Sequence, residues 1–326
     1  MMAKCLHRLH VLLLSACAAL ACSAQAQEKY PNKAVTVVVP QAAGGANDAI
    51  ARIITQKLAE LTGQSFVVEN RVGAGGNIGT AHVAKARADG HTLMLTADSS
   101  YVINPSLYKS TGFDPLKDFE PVSTVATAGY VLVANAGFAP NNTAELIALA
   151  KQQPGRIMIG SAGNGTVNHL VGEMLNKAAG IDMVHVPYKG ASAAVTDLVG
   201  GQVQVSVQSL PSSISFIRSG RIKVLGVVNE KRLAALPGAA PIQETVSGLA
   251  VTPWYGVFAP AGTPKPVVAQ LQALIAQALD AGDVKEKLAQ VGAEPYRLSG
   301  EPFAALIRTE LPRWAKAVKD SGASID

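Results

Sequence analysis

Strand-like apolar runs alternate with amphipathic helical patterns along most of this chain, and this alternation constrains the fold more than any other feature. Residues 33–40 form a β-branched run that predicts a buried strand. The helix after it has Ile50 and Leu58 on one face and ends at Gly63. The same alternation predicts strands over 65–69, 91–96, 131–133, 157–159, 183–186, 203–207 and 222–228, and helices over 77–88, from an N-cap at Thr143 to about 153, from an N-cap at Thr166, and over 191–198. Repeated strand–helix units imply an α/β fold in which helices cover the faces of the sheets.

Two sets of these units lie on either side of the strand at 131–133, and the tail from residue 264 carries helical patterns only. A helical tail without strands must pack on an existing sheet, so we expect the chain to return to the first sheet after the segment WYGVF at 254–258. Two domains then share two crossings that act as a hinge, and the cleft between the domains is the natural ligand site. The predicted ranges are 27–130 plus 254–326 for domain I, 131–253 for domain II, and 130–136 and 250–256 for the crossings.

The first 26 residues are predicted to be a signal peptide. Lys4 and Arg8 precede an apolar stretch over 11–21, and the sequence Ala-Gln-Ala at 24–26 fits a cleavage site. The apolar stretch is too short to span a bilayer, and no later stretch is long enough. We therefore expect an exported, soluble protein. The segment that ends at Cys17 also resembles a lipoprotein cleavage box, but its apolar core would be very short, which favours simple cleavage near Ala26.

Composition excludes several classes of function. All three cysteines, Cys5, Cys17 and Cys22, lie in the leader, so the mature chain is predicted to have no disulfide, thiolate nucleophile or cysteine-ligated metal. Of the 28 basic residues, Lys4 and Arg8 lie in the leader, which leaves 26 against 23 acidic residues. These charges are scattered rather than clustered on one face, so nucleic-acid binding is not expected.

Two loops share one pattern of an apolar strand, small residues with glycine, a polar cap and an amphipathic helix. They lie within VVVPQAAGGANDAIARII at 37–54 and IMIGSAGNGTVNHLVGEML at 157–175. Both follow strands of a predicted parallel sheet, where open α/β sheets bind ligands. Unpaired N–H groups at helix N-termini can hold an anion without lysine or arginine. Each loop alone could be a simple tight turn, but two matched loops favour a binding site.

Catalytic and nucleotide-binding motifs are incomplete. The segment NRVGAGGNIGTA at 70–81 has Ile78 where a dinucleotide-binding motif needs glycine, and it lacks the P-loop lysine. Ser161 is not in a nucleophile elbow, and the four histidines outside the leader have no metal-binding spacing. We therefore predict no catalytic residue, no metal and no cofactor. Asp48 is interpreted as a helix cap that orders the first loop rather than a general base, while His169 either contacts the ligand or packs.

A third loop lies in HVPYKGASAAVTDL at 185–198. Pro187 stiffens the end of a strand, Tyr188 offers a flat face with a hydroxyl, and Lys189 can turn towards the cleft. The alternative is that Lys189 is a solvated residue in a turn.

Taken together, these motifs resemble a known family. YPNKAVTVVVP, GGANDAIAR, ENRVGAGGNIG, ADGHTLMLT, INPSLY, GSAGNGTVNHL, VHVPYKG, LVGGQVQV and WYGVFAPAGTP occur in the order seen in the Bug-type extracytoplasmic solute receptors. These are the substrate-binding proteins of tripartite tricarboxylate transporters, and the resemblance covers essentially the whole mature chain.

The resemblance implies a type II periplasmic-binding-protein fold of the Venus-flytrap kind, with two domains built on mixed sheets flanked by helices. It implies a monomeric receptor without enzymatic activity that delivers a small carboxylate or zwitterionic solute to membrane transporter subunits. The family holds one carboxylate by backbone groups and ordered waters. The ligand-binding residues carried over on this basis are Gln41, Ala42, Ala43, Gly44, Gly45, Asn47, Asp48, Ala97, Asp98, Ser99, Ser161, Ala162, Gly163, Asn164, Gly165, Thr166, His169, Pro187, Tyr188, Lys189 and Gln208.

Three departures from the family pattern bear on the ligand. Residues 41–43 are Gln-Ala-Ala where an aromatic or proline-rich stretch is common, which exchanges bulk for space and one amide. Asp98 stands where an uncharged residue is common, and Gln208 stands where aspartate is common. If Asp98 faces the cleft, a zwitterionic or neutral ligand becomes the expectation.

Two other functions stay open from sequence. One is a sensor subunit that presents its closed form to a membrane signalling partner. The other is a secreted enzyme that acts on a small organic acid, which would need a clustered acid–base or metal set that the spacing does not supply.

Overall fold

The computed structural model describes residues 30–251, 253–321 and 325. Contacts divide the chain into Met1–Asn32 and Lys33–Asp326, and the architecture below is that of the second unit. The predicted signal peptide and the lipoprotein box lie outside the described residues. Within the described part, no helix combines the length and the apolar character needed to cross a bilayer.

Strands and helices alternate as the sequence predicts. The strands are β1 (Val35–Val39), β2 (Phe66–Asn70), β3 (Thr92–Ala97), β4 (Phe119–Ala128), β5 (Tyr130–Asn135), β6 (Met158–Ser161), β7 (Val184–Pro187), β8 (Val205–Ser209), β9 (Ile222–Val227), β10 (Trp254–Pro260) and β11 (Ala293–Pro295). The helices are α1 (Ala46–Thr62), α2 (Asn77–Ala84), α3 (Asn104–Leu107), α4 (Thr143–Gln152), α5 (Val167–Ala179), α6 (Ala191–Val199), α7 (Leu210–Arg218), α8 (Lys265–Asp280), α9 (Gly282–Gln290) and α10 (Glu301–Ser321). A wide helical turn at Ser99–Ile103 runs directly into α3, and short helical turns lie at Ala74–Gly76 and Ile242–Glu244.

The strands form two mixed sheets, as predicted. The first has six strands in the order β11-β4-β10-β3-β1-β2, with β1 parallel to β2 and β3 and with β10 antiparallel to β3 and β4. The second has five strands in the order β7-β6-β8-β5-β9, with β6 parallel to β7 and β8 and with β5 antiparallel to β8 and β9. Each of the parallel strands, β1 to β3 and β6 to β8, is followed by a helical segment, and their parallel direction places those loops on one edge of each sheet.

The chain passes between the sheets twice. It leaves the first sheet at the end of β4 and enters the second at the start of β5, with only Gly129 between them. It returns between the end of β9 and the start of β10, through residues 228–253. A side chain at Gly129 would collide with Leu233, since an added Cβ would lie 2.0 Å from its Cδ1. The return segment therefore packs closely on the first crossing.

The prediction that the tail is helical throughout is wrong in one place. β11 pairs with β4, with Ala293 opposite Ala128 and Pro295 opposite Ala126. This strand has three residues of sequence AEP, which carry no apolar alternation, so its pairing is set by the neighbouring strand rather than by local preference. The helices α8, α9 and α10 are the other regular elements described in the tail, and α8 packs on α1 and β4 of the first sheet as expected.

Two helix boundaries also differ from the predictions. Asn142 rather than Thr143 caps α4, and its Oδ1 accepts a hydrogen bond from the backbone N–H of Glu145 at 2.9 Å. Thr143 instead donates its hydroxyl to the carbonyl of Leu225. The helix predicted over 77–88 ends at Ala84. Thr166 is confirmed as the N-cap of α5.

An aromatic cluster packs α10 against the first sheet. Tyr101 stacks on Phe258 at a centroid distance of 4.1 Å, and Phe303 of α10 lies 5.1 Å from Phe258 and 5.3 Å from Trp254. All four rings are buried. Gly256 leaves room for this packing, because a Cβ there would lie 2.5 Å from the ring of Phe303.

Candidate functional site

A cavity of about 580 Å³ lies where loops of the two sheets converge. Its wall contains residues that follow β1, β2, β3, β6 and β7, the last residue of β8, and Tyr130 and Tyr255 from strands of the two sheets. Thirteen residues of the predicted site line it: Gln41, Ala42, Gly45, Asn47, Ala97, Ser99, Ala162, Gly163, Asn164, Thr166, Pro187, Tyr188 and Lys189. The two matched loops therefore face one shared space.

Helix N-termini dominate the wall of this cavity. Residues at the starts of α1, α2, α5, α6 and α7 all line it, including Ala46, Gly76, Thr166, Ala191 and Ser209. The first backbone N–H groups of a helix have no acceptor within the helix, and the helix dipole is positive there. Lys189 is the only charged side chain among the lining residues. The electrostatics of the cavity therefore favour an anion that is held mainly by main-chain groups.

The first loop is held in shape by Asp48. The N-cap residue of α1 is Gly45, which has no side chain to cap the helix. Asp48 is therefore not the N-cap. Its carboxylate, on the first turn, accepts the backbone N–H of Gly44 at 3.1 Å and an N–H of Asn70 at 3.1 Å. Arg52 donates its Nε to the same carboxylate at 3.0 Å. The predicted role in ordering the loop is thus performed from the third position of the helix.

These contacts decide the charge of Asp48. Burial alone would raise the pKa of this carboxyl, but hydrogen bonds from Arg52, Gly44 and Asn70 outweigh burial and hold the pKa below its usual value. Asp48 is therefore ionised at neutral pH. Its charge is already satisfied by these donors, which leaves it in a supporting role behind the cavity.

A second support comes from the glycine-rich loop before α2. Gly73 to Gly76 line the cavity, although none of them is among the predicted ligand-binding residues. The carbonyl of Gly75 accepts hydrogen bonds from Ser100 Oγ at 3.0 Å and Asn104 Nδ2 at 3.1 Å. This loop follows a parallel strand, at the edge of the sheet where ligands bind, and that position could have identified it as part of the site from sequence.

The loop after β6 rests on two histidines. His169 lies behind the loop rather than in the cavity wall, and its Nδ1 accepts the backbone N–H of Gly165 at 3.2 Å. His185 Nε2 is 2.7 Å from Ser161 Oγ, which in turn accepts the N–H of Gly163 at 3.1 Å. The imidazole rings stack with centroids 4.0 Å apart. Of the two alternatives left open from sequence, the structure places His169 in a packing and supporting position.

The same cluster could be mistaken for a metal site. Ligand atoms of His169, Glu173 and His185 lie within 4.8 Å of one another. Because Nδ1 of His169 accepts the N–H of Gly165, a neutral ring carries its proton on Nε2, the nitrogen that faces Glu173. A metal on Nε2 would require the other tautomer and would break the contact with Gly165. The donor set therefore does not fit a metal, and the two rings act as fixed neutral hydrogen-bonding groups.

This arrangement predicts a loss of stability in acid. Burial lowers the pKa of His169, and burial together with the neighbouring His169 lowers the pKa of His185 to about 4. Both folded-state values lie below the unfolded value of 6.5, so the stabilisation is complete above pH 6.5 and is lost as the pH falls towards about 4. We expect the melting temperature to fall over this range.

The variant His169→Asn plus His185→Gln tests this prediction, because the amides place an acceptor and a donor near Nδ1 and Nε2 without titrating. Thermal unfolding should show a flatter pH dependence between pH 6.5 and 4 than in the wild type. Equal slopes in the two proteins would show that the histidines do not carry the effect.

Asp98 and Gln208 lie outside the cavity wall. Asp98 is 1% exposed, and its Oδ1 accepts the N–H of Ser99 at 2.7 Å. Gln208 is fully buried and donates its Nε2 to Ser206 Oγ at 2.8 Å. Ser209, the next residue on β8, faces the cavity instead, as the alternation of a strand requires. Asp98 therefore does not face the cavity, and its position gives no reason to expect a zwitterionic ligand.

The remaining predicted residues that do not line the cavity are Ala43, Gly44, Asp48, Ser161, Gly165 and His169. Ala43 and Gly44 are exposed, whereas the others support the two loops from behind. Residues that line the cavity without having been predicted include Pro40, Val72, Tyr130, Asn168, Ser209 and Tyr255. Tyr255 lies in the WYGVF segment, which the sequence marks as a crossing and as a family motif but not as part of the ligand site.

Comparison with known proteins identifies relatives over most of the chain. The family model described as "Tripartite tricarboxylate transporter family receptor" matches residues 50–323. A UPF0065 protein from the tcbD-tcbE intergenic region of Pseudomonas sp. strain P51 is 40% identical over 297 residues, which cover 90% of this chain and 88% of that protein. Protein BugT of Bordetella pertussis is 34% identical over 300 residues, with 91% and 92% of the two chains covered.

Solved protein structures are also similar to this chain. Rpa4515 of R. palustris, solved with adipate, superposes with a TM-score of 0.86 at 34% identity and covers 90% of this chain and 99% of its own. The periplasmic binding protein BugD gives a TM-score of 0.86 at 36% identity, with 90% and 99% covered. MatC of Rhodopseudomonas palustris, solved with malate, gives 0.82 at 33% identity, with 89% and 100% covered.

Proposed function

This chain belongs to the tripartite tricarboxylate transporter family of receptors, and on that premise we propose that its cavity captures a small carboxylate in the periplasm for delivery to the membrane transporter. It is a solute-binding receptor rather than an enzyme, which sets aside the enzymatic alternative. Relatives of similar fold were solved with adipate and with malate, both of which are dicarboxylates.

The observation that carries this proposal is the convergence of five helix N-termini on one cavity whose lining has a single cation, Lys189. Main-chain N–H groups bind carboxylates without a fixed counter-charge. A volume of about 580 Å³ is ample for an acid of the size of adipate or malate and leaves room for bridging water.

We further propose that the two sheets belong to two lobes that close on the ligand, with the crossings at Gly129 and at 228–253 as the hinge. Loops of the two sheets already touch around the cavity. A Cβ on Gly190 would lie 3.0 Å from the Cβ of Ala42, and the hydroxyl of Tyr108 donates to the carbonyl of Asn164 at 3.4 Å. The receptor acts as a monomer in this proposal, since loops of the two sheets of one chain converge on the cavity and the proposal requires no second copy.

The direct test is ligand-dependent closure. Native mass spectrometry of the purified protein identifies small molecules that co-purify, and thermal shift and small-angle scattering are then measured with adipate, succinate and malate. We expect at least one acid to raise the melting temperature and reduce the radius of gyration, without turnover. The matched diamides, adipamide and succinamide, should do neither. A shift with the diamides alone, or with none of the acids, would overturn a carboxylate receptor.

Lys189 provides a second prediction. The variant Lys189→Gln should lose no more than about 10-fold in affinity for the acid that binds best, because Lys189 is exposed and main-chain groups provide most of the attraction. The loss should shrink at 0.5 M salt, as expected for a screened charge. Isothermal titration measures both, with Lys151→Gln on α4 as an exposed lysine away from the site. A loss of about 1000-fold would mean that the lysine, not the main chain, holds the anion.

A further inference from the structure

A second large cavity lies at the proposed hinge. Its volume is about 620 Å³, close to that of the candidate ligand cavity, which is about 580 Å³. The lobe of the first sheet lines it with the end of β4, with Ala289 of α9 and with Gly292. The lobe of the second sheet contributes Leu210 and Arg218 of α7, and the crossings contribute Gly129 and part of the return segment. Both lobes and both crossings therefore surround this space, which we call the hinge cavity.

The hinge cavity and the candidate ligand cavity lie on opposite sides of the crossings. At the first crossing, Tyr130 lines the candidate ligand cavity, whereas the preceding residue, Gly129, lines the hinge cavity. At the end of β8 the same division separates Ser209 from Leu210. Consecutive residues of an extended chain point to opposite faces, so the chain passes between the two cavities at both places. A rotation about these crossings that opens the ligand cavity therefore narrows the hinge cavity.

The two lobes already touch in the wall of the hinge cavity. Leu210 lies directly on the backbone of Gly292, because an added Cβ at Gly292 would be 2.6 Å from its Cγ. The backbone N–H of Leu210 donates to the carbonyl of Gly129 at 2.7 Å, and its side chain belongs to a buried cluster of the second lobe that includes Val131 and Ile214. Leu210 is thus fixed to its own lobe and to the crossing, so a closer approach of Gly292 would meet a packed side chain.

A hydrogen bond also joins the two lobes on this face of the hinge. Arg218 of α7 donates its Nη1 to the carbonyl of Gln290, at the end of α9, at 3.2 Å. The two helices are therefore within side-chain reach of each other. The rest of the wall includes Ala234, Ala235 and Ala289, all of them exposed. Their small side chains leave unfilled the space into which the lobes would move when the ligand cavity opens.

We propose that the hinge cavity sets the balance between the open and the closed receptor. Its unfilled volume allows the lobes to open, and the contact of Leu210 with Gly292 limits how far they open. Added side-chain volume in this cavity disfavours the open form and raises the fraction of closed form without ligand, which raises the affinity for the solute. The inference rests on the proposed closure of the two lobes and is independent of which acid the receptor binds.

Ala289→Trp tests the proposal by adding volume to the first-lobe wall of the hinge cavity. Among adipate, succinate and malate, the acid that binds the wild type best should bind this variant about 10-fold more tightly, because affinity scales with the closed fraction and a minor form is commonly populated at about 0.1–10%. Isothermal titration measures the affinity, and small-angle scattering should give the unliganded variant a smaller radius of gyration than the unliganded wild type. The control is Ala273→Trp, which places the same ring on an exposed position of α8 outside the wall of the hinge cavity and should change neither quantity.

Gly292→Ala tests the contact itself with a single methyl group. Gly292 has φ of +72°, so alanine is strained there, and the matched control is Gly63→Ala, with φ of +70° and nothing within 4 Å of an added Cβ. Both variants should lose stability, but only Gly292→Ala should bind the acid more tightly, by about threefold, since its Cβ resists further approach of Leu210. General damage to the hinge would weaken binding, so a gain in affinity identifies the proposed effect.

The outcomes separate this inference from the proposed function. If an acid reduces the radius of gyration of the wild type, but Ala289→Trp and Gly292→Ala bind it no more tightly than their controls, the role of the hinge cavity is overturned and the closing receptor stands. An acid that binds without changing the radius of gyration of the wild type overturns the closure and the inference together. If no acid binds, the carboxylate receptor fails, and the unliganded proteins still decide the inference: equal radii for Ala289→Trp and Ala273→Trp overturn the role of the hinge cavity, and a smaller radius for Ala289→Trp supports it.

Discussion

Gly76→Ala adds one methyl group to the cavity wall and should weaken binding of the best acid ligand by about 100-fold or more. Gly76 has φ of +101°, a conformation that residues with a side chain rarely adopt. An added Cβ would lie 2.6 Å from Ser100 Oγ and 2.8 Å from Gln41 Nε2. It would therefore separate the hydrogen-bonded pair that holds the first loop, on the cavity wall itself. Isothermal titration measures the loss, and circular dichroism checks that the fold remains.

The control for this prediction is Gly63→Ala at the end of α1. Gly63 has φ of +70°, and an added Cβ would meet nothing within 4 Å. This variant has the strain of a left-handed alanine, roughly 1 kcal/mol, without a collision at the site. Its stability should fall slightly, and its affinity should equal that of the wild type. If Gly76→Ala binds the acid as well as Gly63→Ala does, the Gln41–Ser100 contact does not shape the site.

The loops that begin helices were predictable because their signals are local. An apolar strand, small residues and a polar cap follow one another within about ten residues at both 37–48 and 157–166. Eight of the thirteen predicted residues that line the cavity come from these two loops. The predicted caps failed by one to three positions, at Thr143 and Asp48, because several neighbouring polar residues can fill the same role and the backbone geometry chooses among them.

Residues brought to the site by distant pairing carry no local signal. Tyr130 and Tyr255 line the cavity because β5 and β10 pass beneath it, and that follows from the strand order of the two sheets. The role of Gly76 depends on Gln41 and Ser100, which are far from it in sequence. The position of His169 behind its loop is shown by its contact with the backbone of Gly165, which the sequence does not predict. A motif therefore identifies a loop, whereas the side of the loop that a residue faces is a tertiary property.

Asp98 is another residue whose orientation the sequence does not show. It follows β3 directly, and its Oδ2 has no hydrogen-bond partner within the described chain. Burial, and after it the nearby carboxylate of Glu310 on α10, raises the pKa of Asp98 to about 8. At neutral pH this side chain is therefore mainly a neutral acid. Its negative charge cannot select a zwitterionic ligand, so Asp98→Asn should leave the preference among the acids unchanged.

The stability of Asp98→Asn should instead depend on pH in a defined way. The folded-state pKa of about 8 lies above the unfolded value of 3.8, so the wild type is favoured below pH 3.8 and loses this contribution as the pH rises through 8. Asparagine has the shape of the neutral acid and does not titrate. The variant should match the wild type near pH 4 and exceed it at pH 8 and above, by roughly 3–5 kcal/mol in free energy of unfolding from the shift in pKa.

Asp48→Asn is the matched control, because it makes the same substitution behind the same cavity and should give the opposite sign. The pKa of Asp48 is held below 3.8, so its contribution is present above that pH and is lost as the pH falls through the folded value. Asparagine at this position should therefore destabilise the protein at pH 7 and become neutral in acid. Urea unfolding of the two variants and the wild type from pH 3 to 9 measures both slopes. Parallel curves for Asp98→Asn and the wild type across pH 4 to 8 would mean that the buried carboxyl is ionised at neutral pH and that α10 supplies it with a cation.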